Sequence, residues 1–423
     1  MPAAETPDVR RGELLSSAGV CEYNAVGGLQ DARQLDMLAR MSGKIEPSHQ
    51  AKSAHHFGDA MRREFPLLVG LGTAAIFFAG GSQFVELVAH PAAMIVVFLW
   101  LFAVILWSAI CVVRHADCLA IKLGEPYGTL ILTLSAISIE VVMISTAMLH
   151  GANNPTLGRD AIFAVVMIAL NGLVGLSLLL GGLRYREQYY NLQGVNSYLN
   201  VIMTLAVLGL VLPNFTTSKS GPNFSTEQEV FLIVVSLLLY GIFLLIQTVR
   251  HRRYFMEPED VEAPTSTHHP VQVRSTAFHA VMLLLYLVAV IFMAEKFAIP
   301  LDNSIEQFHM PQAFGGAIVA ALVLSPEGLG AIRASLENQL QRSINILLGS
   351  VLATIGLTIP AVLTIGLITK RSVTLGVEGG NLPLLLLTLA VSVVTFTSRK
   401  TNVLQGCIHL LLFAMFVLLI FVP

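Results

Sequence analysis

Long apolar runs without charged residues restrict the fold of this chain more than any other feature. Charged residues come in clusters, and the runs between clusters are roughly 18 to 25 residues long, enough for a helix to cross about 30 Å of hydrocarbon. Only 12% of the 423 residues are charged, about half the share in a typical soluble domain. In lipid only helices and closed barrels satisfy the backbone, and the runs lack the alternation of barrel strands. We therefore predict an all-α polytopic membrane protein.

The apolar runs predict about eleven transmembrane helices. They cover residues 65–85, 92–113, 127–149, 160–182, 197–214, 229–249, 276–295, 311–332, 344–368, 380–397 and 403–422. The segment before them is polar and is predicted to be a cytoplasmic tail, although translation starting near Met61 would make it optional. The longest interruption, 250–275, contains basic, acidic and Pro/Thr/His-rich parts and is interpreted as a linker between two groups of helices.

The distribution of Lys and Arg predicts the orientation of the chain. Cytoplasmic segments carry an excess of these residues, and here they collect on one set of loops at a ratio of roughly three to one. The sparse set is Arg159, Lys219, Lys296, Lys370 and Arg371. We expect the tail and the linker to be cytoplasmic, in a protein of the bacterial inner membrane.

Two carboxylates lie in the middle of predicted spans: Glu140 in the third and Glu327 in the eighth. An ionisable side chain at the bilayer centre costs about 2.5–3.5 kcal/mol on insertion scales and usually has a function. Pro326 removes a backbone donor next to Glu327 and frees a carbonyl of the preceding turn. Carboxylate and carbonyl oxygens together are ligands suited to Ca²⁺ or Na⁺.

The two glutamates occupy matching contexts, which predicts an internal repeat. Each is in the second span of a group of five, and a Gly-rich span with polar residues follows each. Five is odd, so the second repeat must be inverted relative to the first, an arrangement common in secondary transporters. The predicted division is a tail (1–64), an extra first span (65–90), a first repeat (91–249), a linker (250–275) and a second repeat (276–423).

Neutral polar residues near the glutamates are further candidate ligands. They are Ser138, Asn171, Ser325, Asn345, Ser350 and Thr354. Small and polar residues also hold membrane helices together, and for each of these residues alone that packing role is about as probable as cation binding.

Several segments resemble bacterial calcium/proton antiporters of the ChaA type. They are RHADCLA (114–120), LGEPYG (123–128), SLLLGG (177–182), LSPEGLGA (324–331), QRSIN (341–345), GSVLAT (349–354) and RKTNVL (399–404). The resemblance extends from about residue 64 to the end, and it places the chain in the cation/Ca²⁺ exchanger superfamily. It implies two inverted five-helix repeats, exchange of Ca²⁺, Na⁺ or K⁺ for protons, and paired acidic residues at Glu140 and Glu327.

The chain departs from the superfamily pattern next to both glutamates. Other members often carry a Gly-Asn pair shortly before the glutamate, whereas this chain has Ala136-Ile137 and Val323-Leu324. Fewer side-chain ligands are therefore expected, and the choice of cation stays open. The acidic run of the linker is also thin, from Glu257 to Glu262.

The hypothesis is a secondary transporter that exports Ca²⁺ or Na⁺, or K⁺, by alternating access, with Glu140 and Glu327 bound in turn by cation and proton. A proton-independent cation channel is the alternative. An enzyme is not expected, since H-E-x-x-H and related catalytic motifs are missing from the sequence. No cofactor and no nucleic-acid partner is expected; the partners are the transported cations, protons and membrane lipid.

Overall fold

The computed structural model describes residues 64–123, 127–150, 155–257 and 274–422. The chain divides into two compact units, Met1–Arg63 with Pro264–Ser275 and Glu64–Ala263 with Thr276–Pro423. The second unit contains every helix and strand given below. The predicted tail lies outside the described residues except for Glu64, as do residues 258–273 of the linker.

Twelve helices, a short 3-10 helix (Arg252–Phe255) and a two-stranded ribbon form the described part of this unit. The helices are α1 (Phe65–Ala79), α2 (Gly81–Ala89), α3 (Pro91–Leu123), α4 (Tyr127–His150), α5 (Leu157–Tyr185), α6 (Leu192–Phe215), α7 (Thr226–Arg250), α8 (Thr276–Gln307), α9 (Ala313–Leu336), α10 (Leu340–Thr369), α11 (Asn381–Thr395) and α12 (Val403–Phe421). Strands β1 (Gln188–Tyr189) and β2 (Lys400–Thr401) pair antiparallel.

The predicted fold class is confirmed. In the described residues, eight helices are long and apolar enough to cross a membrane: α3 and α5 to α10, together with α12. Shorter apolar stretches occur at Phe65–Ala79, Thr133–Thr146 and Asn381–Thr395. All eleven coincide with predicted spans, although the exact number of helices that cross the bilayer stays a prediction.

Three helix boundaries differ from the sequence prediction. The first span is broken at Gly81, whose φ of +45° is readily adopted only by glycine. Helix α3 continues beyond residue 113 to Leu123, so the charged residues that were predicted to begin a loop lie on a helix. Helix α8 likewise continues to Gln307, with Pro300 inside it.

Helices α5 and α10 are the most buried of the long helices. In the most apolar 18-residue stretch of each helix, 78% of the residues of α5 and 67% of those of α10 are buried, whereas the value for α7 and for α12 is 28%. Helices α3 and α8 pack along each other, and α1 packs against both. The interior is therefore built around α5 and α10, which are the third helices of the two predicted repeats.

Both central helices contain a short π-helical segment, Ile168–Leu173 in α5 and Thr354–Thr358 in α10. Single-turn π-helical segments shift the side chains that follow and occur often at functional sites. The segment of α5 packs against α9, and the segment of α10 packs against α4. Each π segment thus faces the glutamate-bearing helix of the other predicted repeat.

Helices α5 and α12 approach closely through two glycines. A Cβ on Gly406 would lie 2.5 Å from the backbone nitrogen of Leu179 and 2.8 Å from the carbonyl oxygen of Gly175. Distances this short cannot be accommodated unless the backbone moves. Small residues at helix contacts let membrane helices pack closely, and this contact holds α12 against the central helix.

We predict that Gly406→Ala lowers the midpoint of thermal unfolding in detergent, because overpacking costs about 1–3 kcal/mol. Gly241→Ala in α7 is the matched control, since a Cβ there meets no described atom within 4 Å. Equal unfolding midpoints for the two variants would contradict the close contact between α5 and α12.

Candidate functional site

The two glutamates lie in the interior of the helical unit. Glu140, in α4, is 3% exposed. Glu327, in α9, is partly accessible as a whole residue, but its Oε2 atom is buried. Gly328 follows Glu327, and a Cβ there would lie 2.8 Å from the side chain of Leu173 in the π segment of α5. The absence of a side chain at Gly328 therefore brings α9 close to α5.

Hydroxyl groups on α10 lie near both carboxyl groups. The Thr354 hydroxyl donates a hydrogen bond of 2.8 Å to Glu140 Oε2, and Ser350 lies near the Glu327 carboxyl. Residues four apart lie on one face of a helix. Thr354 and Ser350, about one turn apart on α10, consequently place one face of this helix beside Glu140 and Glu327.

The two carboxyl groups are close enough to interact electrostatically. Three buried oxygens in this region have no hydrogen-bond partner among the described residues: Glu140 Oε1, Glu327 Oε2 and Thr358 Oγ1. Thr358 lies near the Glu140 carboxyl. Buried polar atoms rarely lack partners. Carboxylate and hydroxyl oxygens are the ligands that hard cations such as Ca²⁺ and Na⁺ prefer.

Besides Thr354, Ser350 is the predicted neutral residue that lies near a glutamate in the described residues. The hydroxyls of Ser138 and Ser325 donate to backbone carbonyls of their own helices, at Leu134 and Ala321. Serine commonly makes this bond within helices. The structure thus brings Ser350 to the carboxyl groups and shows no such contact for Ser138 or Ser325 in the described region.

Asn171 joins helices by hydrogen bonds. Its Nδ2 donates to Thr388 in α11 at 2.9 Å, and its Oδ1 lies 3.1 Å from Nδ1 of His409 in α12. His409 in turn lies 3.0 Å from the Thr395 hydroxyl. These contacts bind the π segment of α5 to its neighbours.

Asn345 binds a loop and lies near the start of α10. Its Nδ2 donates to the Phe255 carbonyl at 2.7 Å, and its Oδ1 accepts from Gln341. The backbone N–H of Arg342 donates to Glu257 at 3.3 Å. The first residues of the linker are therefore attached to the helix that carries Ser350 and Thr354.

Sequence reasoning named Thr354 as a candidate ligand and left Thr358 out. Thr354 stands in a matched motif and on the same helical face as Ser350, and that spacing was the available signal. Thr358 gave no signal, because a hydroxyl in an apolar helix usually bonds to its own backbone. The described residues contain no group of three or more His, Cys, Asp or Glu that could hold a metal ion.

The chain was compared with known proteins. It is 45% identical over 312 residues, 74% of this chain and 84% of the relative, to the putative ionic transporter y4hA of Sinorhizobium fredii. It is 41% identical over 359 residues, 84% of this chain and 95% of the relative, to the sodium-potassium/proton antiporter ChaA of Escherichia coli. The solved structure of native YfkE shares the fold at a TM-score of 0.65 and 17% identity, covering 85% of this chain and 100% of that one.

The family described as sodium/calcium exchanger protein matches residues 93–249 and 278–422. The two matched segments together make up more than half of the chain. The first segment includes α4 with Glu140 and ends just before the linker. The second includes α9 with Glu327 and begins just after the linker. This chain belongs to the sodium/calcium exchanger protein family.

Proposed function

We propose that the protein is a cation/proton antiporter in which Glu140 and Glu327 bind the cation and the protons in turn. A relative that matches most of this chain is named a sodium-potassium/proton antiporter. The observation that carries the site assignment is the hydrogen bond from Thr354 of α10 to Glu140, with Ser350, one turn earlier on the same face, near the Glu327 carboxyl.

The physical basis is the free energy of two negative charges in an apolar interior. Burying an ionised carboxylate is costly unless a partner neutralises it, and two carboxylates that interact raise the cost further. Protons or a cation can each remove this cost, and the oxygens without hydrogen-bond partners can bind either of them. If the transporter with two ionised and unoccupied carboxylates reorients too slowly to matter, the site changes sides of the membrane only when it holds a cation or protons. Cation and proton fluxes are then coupled.

The oxygen atoms available as ligands at the site favour a hard cation. They are carboxylate and hydroxyl oxygens, which suit Ca²⁺, Na⁺ and K⁺ better than soft transition metals. Two carboxylates offset the charge of one Ca²⁺ or hold two protons, so both monovalent and divalent cargo fit the charge count. Thr354, Thr358 and Ser350 supply hydroxyl oxygens, and the chain lacks the Gly-Asn pair common before these glutamates.

We further propose that the repeats are residues 91–249 and 276–423, preceded by an extra first span over 65–90 and joined by a cytoplasmic linker over 250–275. The tail over 1–64 is placed on the same side by the distribution of Lys and Arg. The site of action is the bacterial inner membrane, and the direction of net transport follows the cation and proton gradients.

Replacing either glutamate with glutamine should abolish exchange, because the amide cannot release a proton or supply a negative charge. We expect Glu140→Gln and Glu327→Gln each to lose proton movement on addition of Ca²⁺, Na⁺ or K⁺ to everted vesicles that hold a pH gradient. A pH-sensitive dye measures the response. Glu295→Gln is the control, because Glu295 forms a partly exposed ion pair with Lys296 in α8 and such pairs contribute little.

The same assay separates the antiporter from the channel. A channel would pass cations along their gradient without proton counterflow. Wild-type protein in which none of the three cations moves protons would exclude the antiporter, and full activity in either glutamine variant would exclude the assigned site.

A second prediction concerns Thr354. Thr354→Val keeps the shape of the side chain and removes the donor to Glu140. A hydrogen bond to a charged group contributes about 1.5–3 kcal/mol, so the half-saturating cation concentration should rise at least about tenfold.

The matched control for Thr354 lies on the same helix. The Thr364 hydroxyl donates to the Pro360 carbonyl, and Thr364→Val should leave the half-saturating concentration unchanged. An equal rise in both variants would show a general effect on α10 and would count against a ligand role for Thr354.

A further inference from the structure

A cavity with basic walls lies between the start of α7 and the end of α10. Its volume is about 310 Å³, within the range of roughly 300–1,000 Å³ that is typical of small-molecule sites. Thr226 and Glu229, in the first turn of α7, line one side, and the last two turns of α10 line the other. Lys219, from the segment before α7, and residues 370–373, which follow α10, complete the wall. This end of both helices is predicted to lie opposite the cytoplasm.

Basic residues are concentrated at this cavity. The loops predicted to lie opposite the cytoplasm carry five Lys and Arg residues, and three of the five line the cavity: Lys219, Lys370 and Arg371. Lys219 and Lys370 are exposed, whereas the Arg371 guanidinium donates a hydrogen bond to the Met148 carbonyl of α4. Since Lys and Arg are scarce on this side of the membrane, their convergence on one cavity indicates a use for positive charge there.

The charges that line the cavity do not balance. Among the described lining residues Glu229 is the one acidic residue; it is 8% exposed and close enough to Lys219 to interact electrostatically. Three positive charges and one negative charge give a formal sum of +2. The C-terminal end of a helix adds about half a negative charge, so the end of α10 offsets only part of this excess. The cavity is therefore electrostatically suited to an anion.

The polar groups of the cavity fit a phosphate group in particular. Lysine binds phosphate as a point charge, and its ammonium group has three donors. The hydroxyl-bearing residues Thr226 and Ser372 line the same cavity, and hydroxyls also donate to phosphate oxygens. Thr226 is the first residue of α7, and the N-terminal end of a helix favours negative charge. Charge and hydrogen-bond donors thus come from both helix ends.

The surroundings of the cavity indicate that the phosphate belongs to a lipid. Part of the wall is apolar, formed by Leu363 and Leu367 of α10, and a free inorganic ion would gain nothing from it. Val230 and Val234 follow Thr226 at one-turn intervals along one face of α7, and they are 47% and 57% exposed. Because α7 is predicted to span the membrane, this exposed apolar face lies against acyl chains. A headgroup in the cavity would place its own acyl chains along that face.

We propose that this cavity binds the headgroup phosphate of an anionic phospholipid in the leaflet opposite the cytoplasm. Lys219 and Lys370 bind the phosphate, and the acyl chains lie along the exposed face of α7. Because α7 and α10 pack together at this end, the bound lipid stabilises the contact between them. Binding of the lipid does not require cation or proton exchange, so it can be measured independently of the proposed function.

The test is thermal unfolding of the full chain in a neutral detergent at increasing concentrations of dioleoylphosphatidylglycerol. The lipid should raise the unfolding midpoint of the wild type in a saturable way, because a ligand that binds the folded state stabilises it. Dioleoylphosphatidylcholine, which has the same acyl chains and no net charge, should leave the midpoint unchanged at the same concentrations. The double variant Lys219→Gln with Lys370→Gln should need at least about tenfold more phosphatidylglycerol for the half-maximal rise, since each Lys near an anionic lipid contributes to its attraction.

Two further double variants serve as controls. Arg399→Gln with Lys400→Gln removes two charges from exposed residues on the predicted cytoplasmic side, and it should show the lipid dependence of the wild type. Lys219→Arg with Lys370→Arg keeps both charges at the cavity and should also bind as the wild type does. The unfolding midpoint of each variant without lipid shows whether that variant folds.

Three results would overturn the lipid site. One is the same half-maximal lipid concentration in the wild type and in the glutamine variant of Lys219 and Lys370. Another is an equal loss of binding in the control on the opposite side, which would show a general effect of charge. The third is a saturable rise of the midpoint with inorganic phosphate alone, which would assign the cavity to a free anion instead of a lipid.

Discussion

The structure depends on the placement of two carboxyl groups in an apolar interior. Neither Glu140 nor Glu327 has a basic residue among its described side-chain partners. Hydroxyl groups of α10 provide the contacts instead, and hydroxyls can donate to a carboxylate or leave their oxygens for a cation. A basic partner would neutralise the carboxylates permanently, whereas hydroxyl partners leave the charge to be neutralised by ions that come and go.

The two halves of the chain share an arrangement but differ in chemistry. In each half the second helix carries a glutamate and the third contains a π segment. In α10 the segment begins with Thr354, which bonds to Glu140. In α5 the corresponding segment contains Asn171, which bonds to Thr388 and His409. Of these two π segments, the one in α10 therefore contacts a carboxyl group directly, and the one in α5 is attached to outer helices; α6 and α7 contain further π segments.

The sequence revealed the features of the fold that depend on a large free-energy difference between lipid and water. Charged residues are so costly in lipid that Glu140 and Glu327 could be found by their rarity, and the apolar runs located every long helix. Contacts of neutral polar residues carry no such signature. Asn171 and Asn345 have side chains that could bind a cation. Their amides are instead hydrogen-bonded to His409 and to the Phe255 carbonyl, and a single sequence cannot indicate such tertiary contacts. The apolar runs also did not indicate the break at Gly81 or the continuation of α3 through charged residues to Leu123.

The added helix α1 lies outside the residues matched by the family, and the physics of lipid explains why its attachment depends on a few polar contacts. An apolar helix gains little by leaving lipid for another apolar helix, so close packing and hydrogen bonds provide the preference. For α1 these are the approach of Gly70 to Ser108, where a Cβ would lie 3.2 Å from the hydroxyl, the bond between Trp100 and Thr73, and the group around Glu64. Of the three, the group around Glu64 alone contains an ion pair, between Glu64 and Arg114 of α3, and Tyr286 of α8 also donates to the Glu64 carboxylate. These contacts tie the start of α1 to both helices, whereas a soluble helix would be held mainly by the hydrophobic burial of a whole face.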